Sequence, residues 1–264
     1  MNHDFRSPAL RQRAWAHLDA LGADAALLQE ARRPDHRTEV LCRNIPPRRW
    51  GSAIVPFNGL ALAPIPLVPL CQPREAHELD DSHPGCCMVA NATLPDESSL
   101  TLVSIYGLLS DATLSGERYV PTTVHRILSD LTPILDAARN RDRRVIVGGD
   151  LNISPQVSPP DTRHHELVIE RIKAFGLIDC LGATHTDFVR TYRPHNKESA
   201  TPWQDDWIFA SESLKGSTLI RVRPGPRSNR RCIQTQSLAP AGIDIVVVGQ
   251  AITDHGQCDP SSEP

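Results

Sequence analysis

Short apolar runs bounded by carboxylates constrain this chain more than any other feature. RVIVGGD (144–150) is closed by two glycines and Asp150, with Asn152 just beyond it. ADAALLQE (23–30) ends on Glu30, DWIFAS (206–211) opens on Asp206, and IDIVVVG (243–249) is followed by Asp254. Runs this short, flanked by Gly, Pro or Asp, are strands, and because they are apolar throughout they are covered on both faces. An acid at the end of such a strand leaves the core at a sheet rim, where loops make room for a ligand.

SAIVPF (52–57), CCMVANAT (86–93), LTLVSIYG (100–107) and TLIRV (218–222) are further predicted strands. A first helix starts at Ser7 as N-cap with Pro8 behind it, buries Leu10, Ala14, Leu18 and Leu21, and stops at Gly22. A second spans 122–139 on Val124, Leu128, Leu131, Leu135 and Ala138, with Pro133 expected to kink or split it. A third is capped by Asp161, turns Val168, Ile172 and Phe175 inward, and ends at Gly176. Helices fall between groups of strands rather than after each one, which predicts an α+β layered sandwich. With neither repeat nor linker, 1–256 reads as one domain followed by a frayed tail at 257–264.

Charge excludes one class of partner surface. With 28 basic and 31 acidic side chains, net charge −3, the chain lacks the basic excess of a nonspecific nucleic-acid binder, so a phosphate-rich partner must be met locally. MNHDFRSPAL carries charges where an export signal needs an apolar core, and GLALAPIPLVPL (59–70) is too short and proline-rich to span a bilayer, so it reads as a loop or edge segment. The seven cysteines form no CxxC pair, which predicts reduced thiols in a cytoplasmic protein. A monomer is expected.

Taken singly, each acid is most simply a turn residue or a helix cap, and GD-x-N an Asx-type turn. Brought together, they would repel unless a cation intervenes, and a carboxylate-only set suits Mg²⁺ or Mn²⁺.

In order along the chain, LLQE, SIYG, GGDLN, DDWIFAS and TDHG resemble the motif series of the endonuclease/exonuclease/phosphatase family, the DNase-I-like metal-dependent phosphoesterases. The resemblance covers residues 2 to 256 and implies a four-layer α/β/β/α sandwich with a site at one end of two facing sheets. It implies Glu30 as a Mg²⁺ ligand, with Asp254 near the metal and Asn2 as the last residue of an opening W-N-x-N or W-N-x-D motif whose strand is not in this sequence. Asp150 resembles the residue that orients or deprotonates the attacking water, and Asn152 a donor to a phosphate oxygen or to that aspartate. His255 resembles the group that meets developing phosphoryl charge, with Asp206 fixing its tautomer and Tyr106 donating a further hydrogen bond. The final motif begins with Thr253 where the family has Ser, and GQCDPSSEP after it offers little apolar strand.

The expected function is hydrolysis of a phosphodiester or phosphomonoester, with nucleic acid among the candidate substrates. Within the arginine-rich stretch 221–232, expected to be an exposed loop, Arg230 and Arg231 are candidate phosphate-backbone contacts. The alternative class is a noncatalytic or N-terminally truncated relative that keeps the fold as a binding module.

Overall fold

A computed structural model describes residues 8–45, 50–108, 122–156, 162–183, 185, 189, 191, 203–214, 218–223, 233–235 and 243–248. Its helices are α1 (Pro8–Asp19), α2 (Thr122–Asp130), α3 (Thr132–Arg139) and α4 (Thr162–Ala174). The strands are β1 (Ala25–Ala31), β2 (Leu41–Cys42), β3 (Gly51–Pro56), β4 (Ala61–Pro64), β5 (Leu67–Pro69), β6 (Leu79–Asp81) and β7 (Cys87–Thr93). They continue with β8 (Ser99–Tyr106), β9 (Val145–Asp150), β10 (Leu177–Asp179), β11 (Asp206–Ser211), β12 (Thr218–Arg223), β13 (Ile233–Thr235) and β14 (Ile243–Val248).

Two six-stranded sheets carry the fold, one ordered β13-β12-β14-β1-β3-β2 and the other β10-β11-β9-β8-β7-β4, while β5 and β6 form a small separate pair. We call the first two sheet A and sheet B. Both are mixed: β1 pairs parallel with β14 and antiparallel with β3, and β9 pairs parallel with β8 and antiparallel with β11.

Strand alternation then divides the apolar side chains among three interfaces. Ala25, Leu27, Ile54, Leu102, Ile146, Ile208, Ile245 and Val247 meet between the sheets. Their neighbours Ala26, Leu28, Ala53, Val55 and Val246 face the other way, onto Ala14, Trp15 and Leu18 of α1. From sheet B, Val103, Ile105, Val147, Trp207 and Phe209 pack outward against Val124, Leu128, Leu135, Val168 and Ile172 of the remaining helices. The order α1, sheet A, sheet B, α2–α4 is the expected four-layer sandwich. A strand buried on both faces needs no polar alternation, which is why these runs are apolar throughout.

Pro133 splits the second helix as expected: α2 ends at Asp130, and α3 takes the proline in its first turn, where an absent N–H costs nothing. Gly22, at φ +65°, follows α1 in the left-handed conformation of a helix stop. The proline-rich stretch 59–70 supplies an edge strand, β4, and then β5. TLIRV forms β12 as expected and pairs with β14; one expectation is corrected, in that the strand runs on to Arg223, a residue expected in the exposed loop. The caps Ser7 and Asp161 and the tail 257–264 lie outside the described residues. Cys42, Cys71, Cys86, Cys87 and Cys180 are free thiols, and no described helix is long and apolar enough to cross a membrane.

Candidate active site

Register places the sheet B residues. Tyr106 at the end of β8 stands opposite Asp150 at the end of β9, and Asp150 stands opposite Asp206 at the start of β11. Counting by twos from Leu102, Ile146 and Ile208, which face sheet A, puts Tyr106, Asp150 and Asp206 on that same inner face. Three polar side chains thus form one row across three adjacent strands at the rim, and all three are buried.

Glu30 reaches the row from sheet A by a different device. Alternation from Ala26 and Leu28 would send it to the α1 face. Instead the β1–β3 register shifts between Leu28 and Ala31, and Glu30 takes φ +51°, a left-handed conformation that is costly for a residue with a full side chain. The carboxylate is thereby available to sheet B, where the Tyr106 hydroxyl donates to Glu30 Oε1 at 2.8 Å. Behind it, Gln29 Nε2 donates to Ser104 Oγ at 3.1 Å, and Ser104 donates to the Leu28 carbonyl, tying the two sheets directly below the site.

The glycines of RVIVGGD have separate reasons. A Cβ on Gly148 would lie 2.8 Å from Val247 Cγ2 and 3.1 Å from Leu27 Cδ1, because sheet A packs there without a gap. At Gly149, φ is +147°, and a Cβ would fall 1.9 Å from the Ile105 carbonyl oxygen of the neighbouring strand. Both the parallel pairing of β8 with β9 and the approach of Gln29 depend on that missing side chain.

Asn152 does not continue the strand. An extended Asp–x–Asn segment would aim both side chains the same way. The chain instead leaves the strand at Asp150, whose Oδ1 accepts from the Asn152 backbone N–H at 3.1 Å in an Asx turn, and Asn152 takes φ +49°. Its amide Nδ2 donates to the Gly107 carbonyl at 2.7 Å, pinning the loops after β8 and β9 together. The turn reading and the site reading of this motif are therefore compatible.

Electrostatically the row is under stress. Burial pushes the Asp150 carboxyl well above the usual range, and Asp206, Asp205 and Glu30 add to the shift. Asp206 is raised to about 6 by burial, held down in part by a hydrogen bond from Thr191. Tyr106 is raised, first by burial and then by Glu30 and Asp150, so its phenol remains a donor at neutral pH. Among the described residues no arginine or lysine pairs with these acids, while Glu30 Oε2 and Asp206 Oδ1 are buried without a hydrogen-bond partner.

Sequence reasoning missed two participants. Asp205 is buried, with its carboxyl raised to about 8 by desolvation and by Asp206. Thr191, in a stretch without periodicity, accepts from the backbone N–H groups of both Asp205 and Asp206. The Asp-Asp pair itself was the available signal, since adjacent buried acids at a strand start need donors nearby. Asn2, Arg230, Arg231, Asp254 and His255 lie outside the described residues.

A hard divalent cation suits this donor set. The orphaned buried carboxylate oxygen of Glu30 is what a cation would satisfy, and oxygen-only donors match Mg²⁺ or Mn²⁺. Among the described residues, no three or more His, Cys, Asp or Glu side chains form a complete ligand group.

No protein-family model matches the chain, and no curated protein matches it by sequence. Solved structures do. The 3'-5' exonuclease NExo from Neisseria meningitidis superposes with a TM-score of 0.53 at 14% identity over 86% of this chain and 93% of that one. The APE2 catalytic domain from Xenopus laevis gives 0.53 at 15% identity, over 75% and 77%. An AP endonuclease from Archaeoglobus fulgidus gives 0.50 at 16% identity, over 78% and 84%. Similarity at this level of identity is a statement about architecture, and it agrees with the layer order: the chain has the fold of the endonuclease/exonuclease/phosphatase, or DNase-I-like, proteins.

Proposed function

We propose that this chain is a divalent-metal-dependent phosphoesterase whose first substrate to test is a nucleic-acid phosphodiester. The observation that carries the reading is the in-register row Tyr106, Asp150 and Asp206, joined across the sheets to Glu30 by the Tyr106 hydroxyl. Such a row has donors, buried acids and unsatisfied carboxylate oxygens at one rim, which is the equipment that hydrolysis of an anionic ester needs.

Glu30 would hold Mg²⁺ or Mn²⁺ together with Asp254 and Asn2. When bound, the cation supplies positive charge that offsets the phosphoryl oxygens and the acids around them. Tyr106 orients Glu30 through the hydrogen bond already in place. Asp150 aligns a water molecule and takes its proton as the water oxygen bonds to phosphorus; the bond to the leaving oxygen breaks, and that oxygen leaves with a proton from the site or from solvent. Asn152 braces Asp150 through its backbone N–H. His255 meets the oxygen on which charge develops, and Asp206 fixes its tautomer. Arg230 and Arg231 meet phosphates away from the reacting one, and the protein acts as a cytoplasmic monomer.

A panel of plasmid DNA, RNA, abasic duplex, phosphoinositides and bis-p-nitrophenyl phosphate, each with Mg²⁺, Mn²⁺ or EDTA, tests the reading. Turnover of at least one member with metal and its loss in EDTA is the expected result. Glu30→Gln should shift the metal dependence of that turnover to higher concentration while leaving the fold intact. Failure of every member with both metals overturns the reading, and binding without turnover would point to a binding module instead. For a nucleic-acid substrate, neutralising Arg230 and Arg231 should flatten the dependence of affinity on salt.

A further inference from the structure

His165 is a buried histidine that takes no part in the proposed chemistry. It lies on α4, in the layer outside sheet B, where Val168 and Ile172 of the same helix join the outer core. Its Nδ1 accepts from the Ser154 backbone N–H at 2.9 Å, and both residues are buried. A neutral imidazole carries one proton, so a ring that accepts at Nδ1 holds that proton on Nε2. The bond thereby fixes the tautomer, because an Nδ1–H would face the amide donor to donor.

Ser154 closes the turn that opens at Asp150. Asp150 Oδ1 accepts from the Asn152 N–H at 3.1 Å, so the placing of that N–H bears directly on the carboxylate. Asn152 takes φ +49°, a conformation that its surroundings must hold. The turn is fastened at successive residues: the Leu151 N–H donates to the Asp205 carbonyl at 2.9 Å, Asn152 Nδ2 to the Gly107 carbonyl at 2.7 Å, and Trp207 Nε1 to the Ile153 carbonyl at 2.9 Å. At its exit, Ser154 Oγ accepts from the Gln204 N–H at 3.2 Å, in the segment that leads to Asp205 and Asp206. His165 adds a fastening from the helix layer, on the residue where the turn and that segment meet.

We propose that His165 is a positioning residue: as an Nδ1 acceptor it anchors the exit of the Asp150 turn to α4, and through Ser154 it keeps the Asn152 N–H on the Asp150 carboxylate. The use Asp150 makes of that orientation rests on the phosphoesterase reading; the anchor itself does not. His165→Asn puts an amide oxygen where Nδ1 stood and keeps the acceptor. His165→Leu removes the acceptor and strands the buried Ser154 N–H, so a lower melting temperature is expected as well.

The test combines NMR, kinetics and crystallography on the whole chain. In the parent at neutral pH, a through-hydrogen-bond coupling should join the Ser154 amide nitrogen to His165 Nδ1, and a protonated Nδ1 overturns the proposal. With whichever panel phosphoester the parent turns over, assayed well below every variant's melting temperature, His165→Leu should lose about 10–100-fold in kcat with KM within about threefold. His165→Asn should recover the parent's kcat to within about threefold. A residue that only fastens the fold would lower the melting temperature of His165→Leu and leave kcat per folded molecule unchanged, and that result overturns the proposal. So does a His165→Asn variant as slow as His165→Leu. In crystal structures, the bond from the Asn152 N–H to Asp150 Oδ1 should be kept in His165→Asn and broken in His165→Leu, with β9 in place in both. An intact bond in His165→Leu overturns the anchor. Should His165→Leu fail to fold, His165→Gln, whose acceptor lies one carbon further out, takes its place in both measurements. If the parent turns over nothing, the phosphoesterase reading fails on its own, and the coupling and the crystal structures still decide the anchor.

Discussion

Sheet A and sheet B contribute to the same rim by opposite means. Sheet B delivers Tyr106, Asp150 and Asp206 by regularity: unbroken pairing over β8, β9 and β11 puts them in register on one face. Sheet A delivers Glu30 by irregularity, through a register shift and a left-handed residue, with Gln29 and Ser104 fixing the distance between the sheets. A regular row tolerates little change in the backbone that pairs it. An irregular one depends on the few contacts that hold a costly conformation in place.

The largest expected effect is at Asp150. Asp150→Asn keeps the side-chain shape and removes the charge that takes the proton, so kcat should fall on the order of 10⁴-fold with folding intact, measured by single-turnover kinetics beside a melting curve. Next comes the pairing itself. Gly149→Ala forces a Cβ into the Ile105 carbonyl, and the expected cost exceeds about 4 kcal/mol, seen as loss of a cooperative unfolding transition or of soluble protein. Gly148→Ala meets first the ends of two apolar side chains, Val247 and Leu27, and then the Trp207 carbonyl oxygen at 3.2 Å, and should cost about 1–3 kcal/mol in urea unfolding.

A smaller effect is expected with pH. Asp205 is raised to about 8, whereas an unfolded aspartate titrates near pH 4. Between those values the folded protein holds a proton that the unfolded chain has lost, so each rise in pH favours unfolding. Asp206, raised to about 6, adds to the slope in the lower part of that window. Metal-free protein should therefore lose stability from pH 4 toward 8, and Asp205→Asn should flatten the part between pH 6 and 8 by up to about 1.4 kcal/mol per pH unit. An unchanged slope in that variant would mean that Asp205 is not the strained acid of the rim.

What was legible in the sequence follows the same division. Apolar runs ending on Tyr106 and Asp150, or opening on Asp206, mark strands that carry polar groups to a rim, and the pleat does the rest. Pro133 announced the break between α2 and α3, because no other residue removes a helical donor. Glu30 was legible as a strand-end acid, but its turn toward sheet B was not, since a left-handed glutamate leaves no mark in composition or periodicity. Gln29 carried a signal that went unread: an amide inside an apolar run must find a buried partner, and that partner is Ser104. Thr191 was invisible because its bonds join residues 14 and 15 positions apart, through a stretch without pattern. Asn152 was half legible: GD-x-N reads singly as an Asx-type turn, which it is, but the bond of its amide to the Gly107 carbonyl leaves no mark in the spacing.

Whether the two sheets serve one transition state is tested most directly by a kinetic double-mutant cycle across the Tyr106 bridge. Glu30→Gln, Asp150→Asn and the double variant are compared in kcat/KM on the most reactive phosphoester the parent hydrolyses, at saturating Mg²⁺. If Glu30 from sheet A and Asp150 from sheet B act on the same phosphoryl group, the double variant loses little more than the worse single variant. Losses that multiply would place the two acids in separate roles, and the single rim built from both sheets would have to be given up.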